Sequence, residues 1–306
     1  MSETNETFPG KVAGGTAGAG DSRSPMLGGV LLLAVEEAGS ALETGQGDGA
    51  VHDLRKAFKR MRALLRLVRG AHSGDARRLR EELGDGARAL SASRDQAAQC
   101  EALDDLVAKA GLKPQWRDEA LRALAAPEAA PAAEPGLDAQ RERLGALVAS
   151  CRAAGALLGE VRLDRALLGA ILADYARARG RGRHVDAGDA EELHELRKAV
   201  IAHRFHMELL TPLWPVMGRA REGELHRLRE KLGKHHDLAA VLLRLAELPR
   251  EVADSDWHAP VVAAARARQE KLTRSALRLH ARLFAEKPEA FRRRHAAYMK
   301  AMSDGE

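Results

Sequence analysis

Six basic side chains between residues 52 and 66 are spaced so that one face of a helix would carry them all. At about 100° per residue, His52, Arg55, Lys56, Lys59, Arg62 and Arg66 form a stripe roughly 120° wide, with no acidic residue after Asp53 to interrupt it. Leu54, Ala57, Phe58, Met61, Leu64, Leu65 and Val68 fall on the opposite side, the side expected to pack. An ordinary solvated face mixes signs, because opposite charges at i,i+4 stabilise a helix by a few tenths of a kcal/mol and like charges cost as much. Such a row asks for an anion, and the alternative is a solvated basic face without a ligand.

The same pattern recurs at a constant offset of 142 residues. His52-Asp53-Leu54-Arg55-Lys56-Ala57 falls on His194-Glu195-Leu196-Arg197-Lys198-Ala199, and the register continues through Arg62 and Arg204, Leu83 and Leu225, Leu90 and Leu232, to Asp95 and Asp237. The second stripe begins with His194, Arg197, Lys198 and Arg204 and then weakens, since Ile201 and Glu208 stand where the first has Lys59 and Arg66. His203 and His206 fall on the packing side and read as core or boundary histidines. Arg94 and His236 occupy matching positions beside a leucine seam. Each is either a polar group satisfied at the core edge or a side chain projecting into a cleft where the copies meet.

Helices must position these groups. The apolar periodicity predicts helices at about 26–44, 50–70, 75–109, 115–126, 138–158, 162–179, 189–211, 219–247, 257–285 and 288–302, and no strand. Residues 1–25, rich in Gly, Ser and Thr, read as a flexible tail. The prolines between Pro127 and Gly136 mark a boundary between a first helical unit, 26–130, and a second, 137–302, and Gly180-Arg181-Gly182-Arg183 reads as a connection. Of the 306 residues 45% are hydrophobic and only 3% aromatic, the composition of packed helices, so an all-α fold built by internal duplication is expected. The 49 Lys and Arg against 44 Asp and Glu leave a formal charge of +5, which matters only where it is clustered. Cys100 and Cys151 cannot build a disulfide framework or a four-cysteine zinc site and read as ordinary thiols of a reducing cytoplasm. The N-terminus lacks the cationic region of a signal peptide and no apolar run is long enough to span a bilayer, which points to a cytoplasmic protein without a membrane partner.

Val51-His52-Asp53-Leu54-Arg55-Lys56-Ala57, continuing Lys59-Arg60-Met61-Arg62-Ala63-Leu64-Leu65, resembles the opening signature of the CHAD family, the conserved histidine α-helical domain. Leu232-Gly233-Lys234-His235-His236-Asp237-Leu238 is similar to that family's third helix in its second half. The resemblance extends over about residues 26–302. It implies two four-helix bundles related by an approximate two-fold, with a basic channel between them that binds inorganic polyphosphate, and association with polyphosphate granules. Carried over by motif, the ligands would be His52, Arg55, Lys59, Arg60, Arg62 and Arg94 in the first half and His194, Arg197, Lys198, Arg204 and His236 in the second, with Lys56 added from the helical wheel. Polyphosphate offers a row of anionic oxygens without bases or an apolar handle, so Arg, Lys and His suffice and aromatic stacking is not needed. Binding should be salt-dependent, and protonation of His52 and His194 should raise affinity below about pH 6.5.

Two other functions share some of these features. A nucleic-acid-binding helical protein would use the same charges, but no base-reading or stacking group is interleaved with the stripes. His52-Asp53 and His236-Asp237 resemble the pairs of metal-dependent phosphohydrolases, yet the repeat already explains them and no acidic cluster for magnesium accompanies them. The sequence therefore points to a binding protein without metal, cofactor or catalytic residues, rather than an enzyme.

Overall fold

The computed structural model describes residues 26–90, 92–125 and 137–304, with side chains 48 and 92–96 outside the description. The expected tail and the proline-rich break at 127–136 lie outside the described residues, as does the side chain of Arg94. Among the described residues the chain is all α, with one isolated bridge, Met26 to Arg162, and no strand. The helices are α1 (Leu27–Glu43), α2 (Gly47–Leu65), α3 (Ser73–Arg88), α4 (Ala92–Ala110), α5 (Pro114–Leu124), α6 (Leu137–Leu157), α7 (Arg165–His184), α8 (Ala190–Leu210), α9 (Pro215–Ala246), α10 (Arg250–Ala253), α11 (His258–Leu283) and α12 (Pro288–Ser303).

Three boundaries differ from the periodicity. The helix expected at 75–109 is two, α3 and α4. Carbonyls at the end of α3 are taken by side chains from elsewhere: Gln140 of α6 donates to Ala89 O at 2.9 Å, and Arg55 of α2 donates to Ala87 O. Such donors satisfy the orphan acceptors of a helix end, so the chain turns without proline. The helix expected at 50–70 ends at Leu65, leaving Arg66 as its C-cap. Conversely, α7 runs through Gly180-Arg181-Gly182-Arg183 to His184. Gly182 is there for contact, because a Cβ on it would lie 2.2 Å from Cε1 of the buried His280, whose Nε2 lies 3.0 Å from Ala178 O.

Apolar side chains gather in two clusters. The larger joins α1, α2, α3, α6, α7, α8, the first half of α9, the C-terminal end of α11 and α12; the smaller joins α4, α5, the second half of α9 and the rest of α11. α6, after the proline-rich segment, packs on α1 and α3, whereas α4, before it, packs on α9 and α11. α2 crosses α8, with Ala63 against Ala202 and Phe205. Cys151 is buried, and burial, with a contribution from Glu82, pushes its thiol up to about 12; Cys100 is half-buried.

Candidate anion-binding site

On α2 the expected packing face is buried throughout: Leu54, Ala57, Phe58, Met61 and Leu64 are inaccessible. The opposite face divides. Ala63 is also buried, under α8, and separates basic groups directed toward α1 from those directed toward α3. On the α1 side, Arg60 pairs with Glu37 at 2.8 Å and with Glu208 of α8 at 2.7 Å. Lys56 lines a recess there with Glu36, Glu37 and Asp53. On the α3 side, Arg62 is partly exposed and its guanidinium lies over Gly84, where an added Cβ would stand 3.3 Å from Cζ. Arg55, which is bonded to Ala87 O, and Lys59 are each half-buried, while His52 is exposed.

Two arginines of α3 complete this groove, and the sequence reading missed them. Arg80 and Arg88 flank Gly84 at i−4 and i+4, so the three share one face. Burial, then Arg88 and Arg66, lower the pKa of Arg62 against the opposing charge of Asp85. Burial, then Arg66 and Arg62, do the same to Arg80, with Asp174 and Glu81 opposing. Arg88 is bonded to Asp85, and Arg66 reaches the buried Asp174 of α7, Nη2 to Oδ1, at 3.1 Å. Arg62 and Arg80 make no hydrogen bond or ion pair among the described residues. The i,i+4 spacing around a mid-helix glycine was the available signal, but it acquires meaning only once α3 lies against α2.

The second copy brings together a different set. His194 of α8 stacks on His236 of α9, ring centroids 4.2 Å apart. Arg197 rests beside Gly233 much as Arg62 rests on Gly84, 3.6 Å from a Cβ placed there. Burial, then His236, Lys198 and Arg197, bring His194 down to about 4. Its protonation therefore lies well below the pH 6.5 expected from sequence, because the ring is desolvated among other cations. His236 is lowered by burial and then by Arg197. Lys198 is exposed and pairs with Glu195 at 2.5 Å. Farther along α8, half-buried Arg204 lies over the Phe205 ring; burial and then Arg229 lower its pKa, while Glu208 and Glu222 oppose that.

His203 and His206 are buried, as their side of the wheel requires. His206 places Nε2 2.8 Å from Ala63 O, tying α8 to α2. His203 finds no hydrogen bond and is enclosed instead by the rings of Tyr175, Phe284 and Phe291.

What the arrangement can do is hold anionic oxygens. Guanidiniums and imidazoles line two helix–helix grooves, and no group of three or more His, Cys, Asp or Glu that could hold a metal occurs among the described residues. No helix there is long and apolar enough to cross a membrane. No curated protein and no solved structure matches the chain. The CHAD domain model does match, over residues 33–247, which takes in both basic helices and the helix that follows each, and the chain belongs to the CHAD domain family.

Proposed function

We propose that this protein binds inorganic polyphosphate along the basic grooves that α2 and α8 form with the helices following them. Family membership supports a polyphosphate-binding role, and CHAD domains are non-catalytic binding modules. The observation that carries the reading is the pair Arg62 and Arg80, two neighbouring guanidiniums that make no hydrogen bond or ion pair among the described residues, beside Arg66 and Arg88. A polyanion supplies the missing counter-charge.

The duplicated architecture belongs to the same reading. At the offset of 142, α1 corresponds to α7, α2 to α8, α3 with α4 to the single α9, α5 to α11, and α6 to α12. Equivalent neighbours pack alike: α1 on α6 and α7 on α12, α1 on α2 and α7 on α8, α2 on α3 and α8 on α9. These contacts favour two copies related by a pseudo-two-fold where α2 meets α8, with the division after α6 rather than in the proline-rich segment. A polyphosphate chain would then pass between them, and attachment to polyphosphate granules follows.

The test is calorimetry with polyphosphate of defined length at two salt concentrations. Affinity should fall steeply with salt, by a slope of about 0.7 per phosphate neutralised if polyphosphate behaves as a single-stranded polyanion. Arg197→Gln should weaken binding without changing the melting temperature appreciably. Absence of binding, or ready displacement by duplex DNA at matched phosphate concentration, refutes the proposal.

A further inference from the structure

The two copies carry opposite charge at equivalent positions. In the first, Arg62 on α2 and Arg66 at its C-cap lie beside Arg80 and Arg88 of α3, with Gly84 between the latter two and under the Arg62 guanidinium. At the offset of 142 the same five positions hold Arg204, Glu208, Glu222, Glu230 and, in place of the glycine, His226. Four guanidiniums and a glycine become one guanidinium, three carboxylates and a histidine.

The second copy satisfies these positions with its own residues. His226 Nε2 lies 3.2 Å from Glu230 Oε1, an exposed i,i+4 pair on α9 at the positions equivalent to Gly84 and Arg88. Glu208 takes Arg60 at 2.7 Å, Glu222 accepts a hydrogen bond from the Thr211 hydroxyl, and both carboxylates act on Arg204. In the first groove Asp174 is shared by Arg66 and Arg177, Asp85 is bonded to Arg88 and Glu81 pairs with Arg77, so the carboxylates that act on Arg62 and Arg80 make their ion pairs with other arginines. Like charges held together at such spacing destabilise the free protein, and a bound anion relieves that cost.

Resting on the polyphosphate reading, we infer that the α2–α3 groove, floored by Gly84 and walled by Arg62, Arg66, Arg80 and Arg88, is an anchor site for a short inorganic oligophosphate segment. The equivalent α8–α9 groove has lost this role. Guanidinium forks from both walls address the oxygens of successive phosphates, and the absent side chain at Gly84 lets the Arg62 guanidinium settle against α3 near Arg80. A polyphosphate chain is thus held unequally by the two copies, gripped at one end and guided by His194, Arg197 and His236 at the other.

Tripolyphosphate is the probe, because it is long enough to fill one groove and too short to bridge widely. Calorimetry on the full chain should give one site. Arg62→Gln with Arg80→Gln should lower tripolyphosphate affinity at least tenfold, whereas Arg77→Gln, which removes one positive charge from an exposed position on α3, should change it less than twofold. Gly84→His with Arg88→Glu, which installs the residues of the second copy, should also lower it at least tenfold. Melting temperatures confirm that each variant is folded, and the Arg62/Arg80 pair keeps the test open if the Gly84 variant is not. Undiminished tripolyphosphate affinity in the Arg62/Arg80 variant, or equal weakening by Arg77→Gln, overturns the anchor. So does binding of long-chain polyphosphate without any of tripolyphosphate. In those cases long-chain binding that survives leaves the broader reading standing; a wild-type chain that binds neither form ends both.

Discussion

Acid should destabilise this protein through its buried histidines, and His295 carries a share that can be given a magnitude. The residue is 3% exposed, Nδ1 lies 2.9 Å from the Phe291 carbonyl as a donor, and the rings of His295 and Phe291 pack with centroids 4.1 Å apart. Burial, and after it Arg294 and Arg221, bring its pKa down to about 4. In the unfolded chain the same imidazole titrates near 6.5. The folded pKa lies below the unfolded one, so this stability is complete above about pH 6.5 and is lost as the pH falls toward 4. A difference of about 2.5 pKa units corresponds to ~3.4 kcal/mol across that window, of which ~2.5 kcal/mol is gone at about pH 4.5. Urea unfolding of wild type and His295→Gln at about pH 7.5 and pH 4.5 measures it. The loss between the two conditions should be smaller in the variant by about 2.5 kcal/mol. His203, His206 and His280 are buried and lowered by the same cause, so the variant should remain acid-sensitive in part. An identical loss in both proteins would refute the assignment to His295.

Two residues apart on α7, Gly182→Ala and Gly180→Ala should act in opposite directions. The first drives a methyl into the His280 ring at a cost of about 1–3 kcal/mol, and the second meets nothing within 4 Å and gains up to about 1 kcal/mol of helix propensity. Thermal melts of the two variants would show the sign. Arg60→Ala should cost about 2–3 kcal/mol, because it strands Glu208, whose pKa burial already raises; Arg60→Met with Glu208→Leu should recover much of it in urea titrations.

The fold class was legible in the sequence because amphipathic periodicity reports which side of a helix is buried: every leucine and methionine assigned to the inner face of α2 is buried. The two histidines set inside α8 proved equally readable. Arg80 and Arg88 were not, because a helix pattern says nothing about which other helix comes to lie beside it. Arg60 illustrates the same limit, since its neutralising partner Glu208 is 148 residues away. The pKa of His194 was misjudged because burial against His236 is a tertiary fact.

The chain's order of residues by itself determined that it is helical, that two of its helices carry a matched basic motif, and which side of each turns inward. Only the tertiary structure decided where α3 stops, which cations are neutralised by distant carboxylates, and that Gly84 and Gly182 serve close approach rather than flexibility. Periodicity is a local property of the backbone, whereas desolvation, charge pairing and steric room depend on what long-range packing brings alongside.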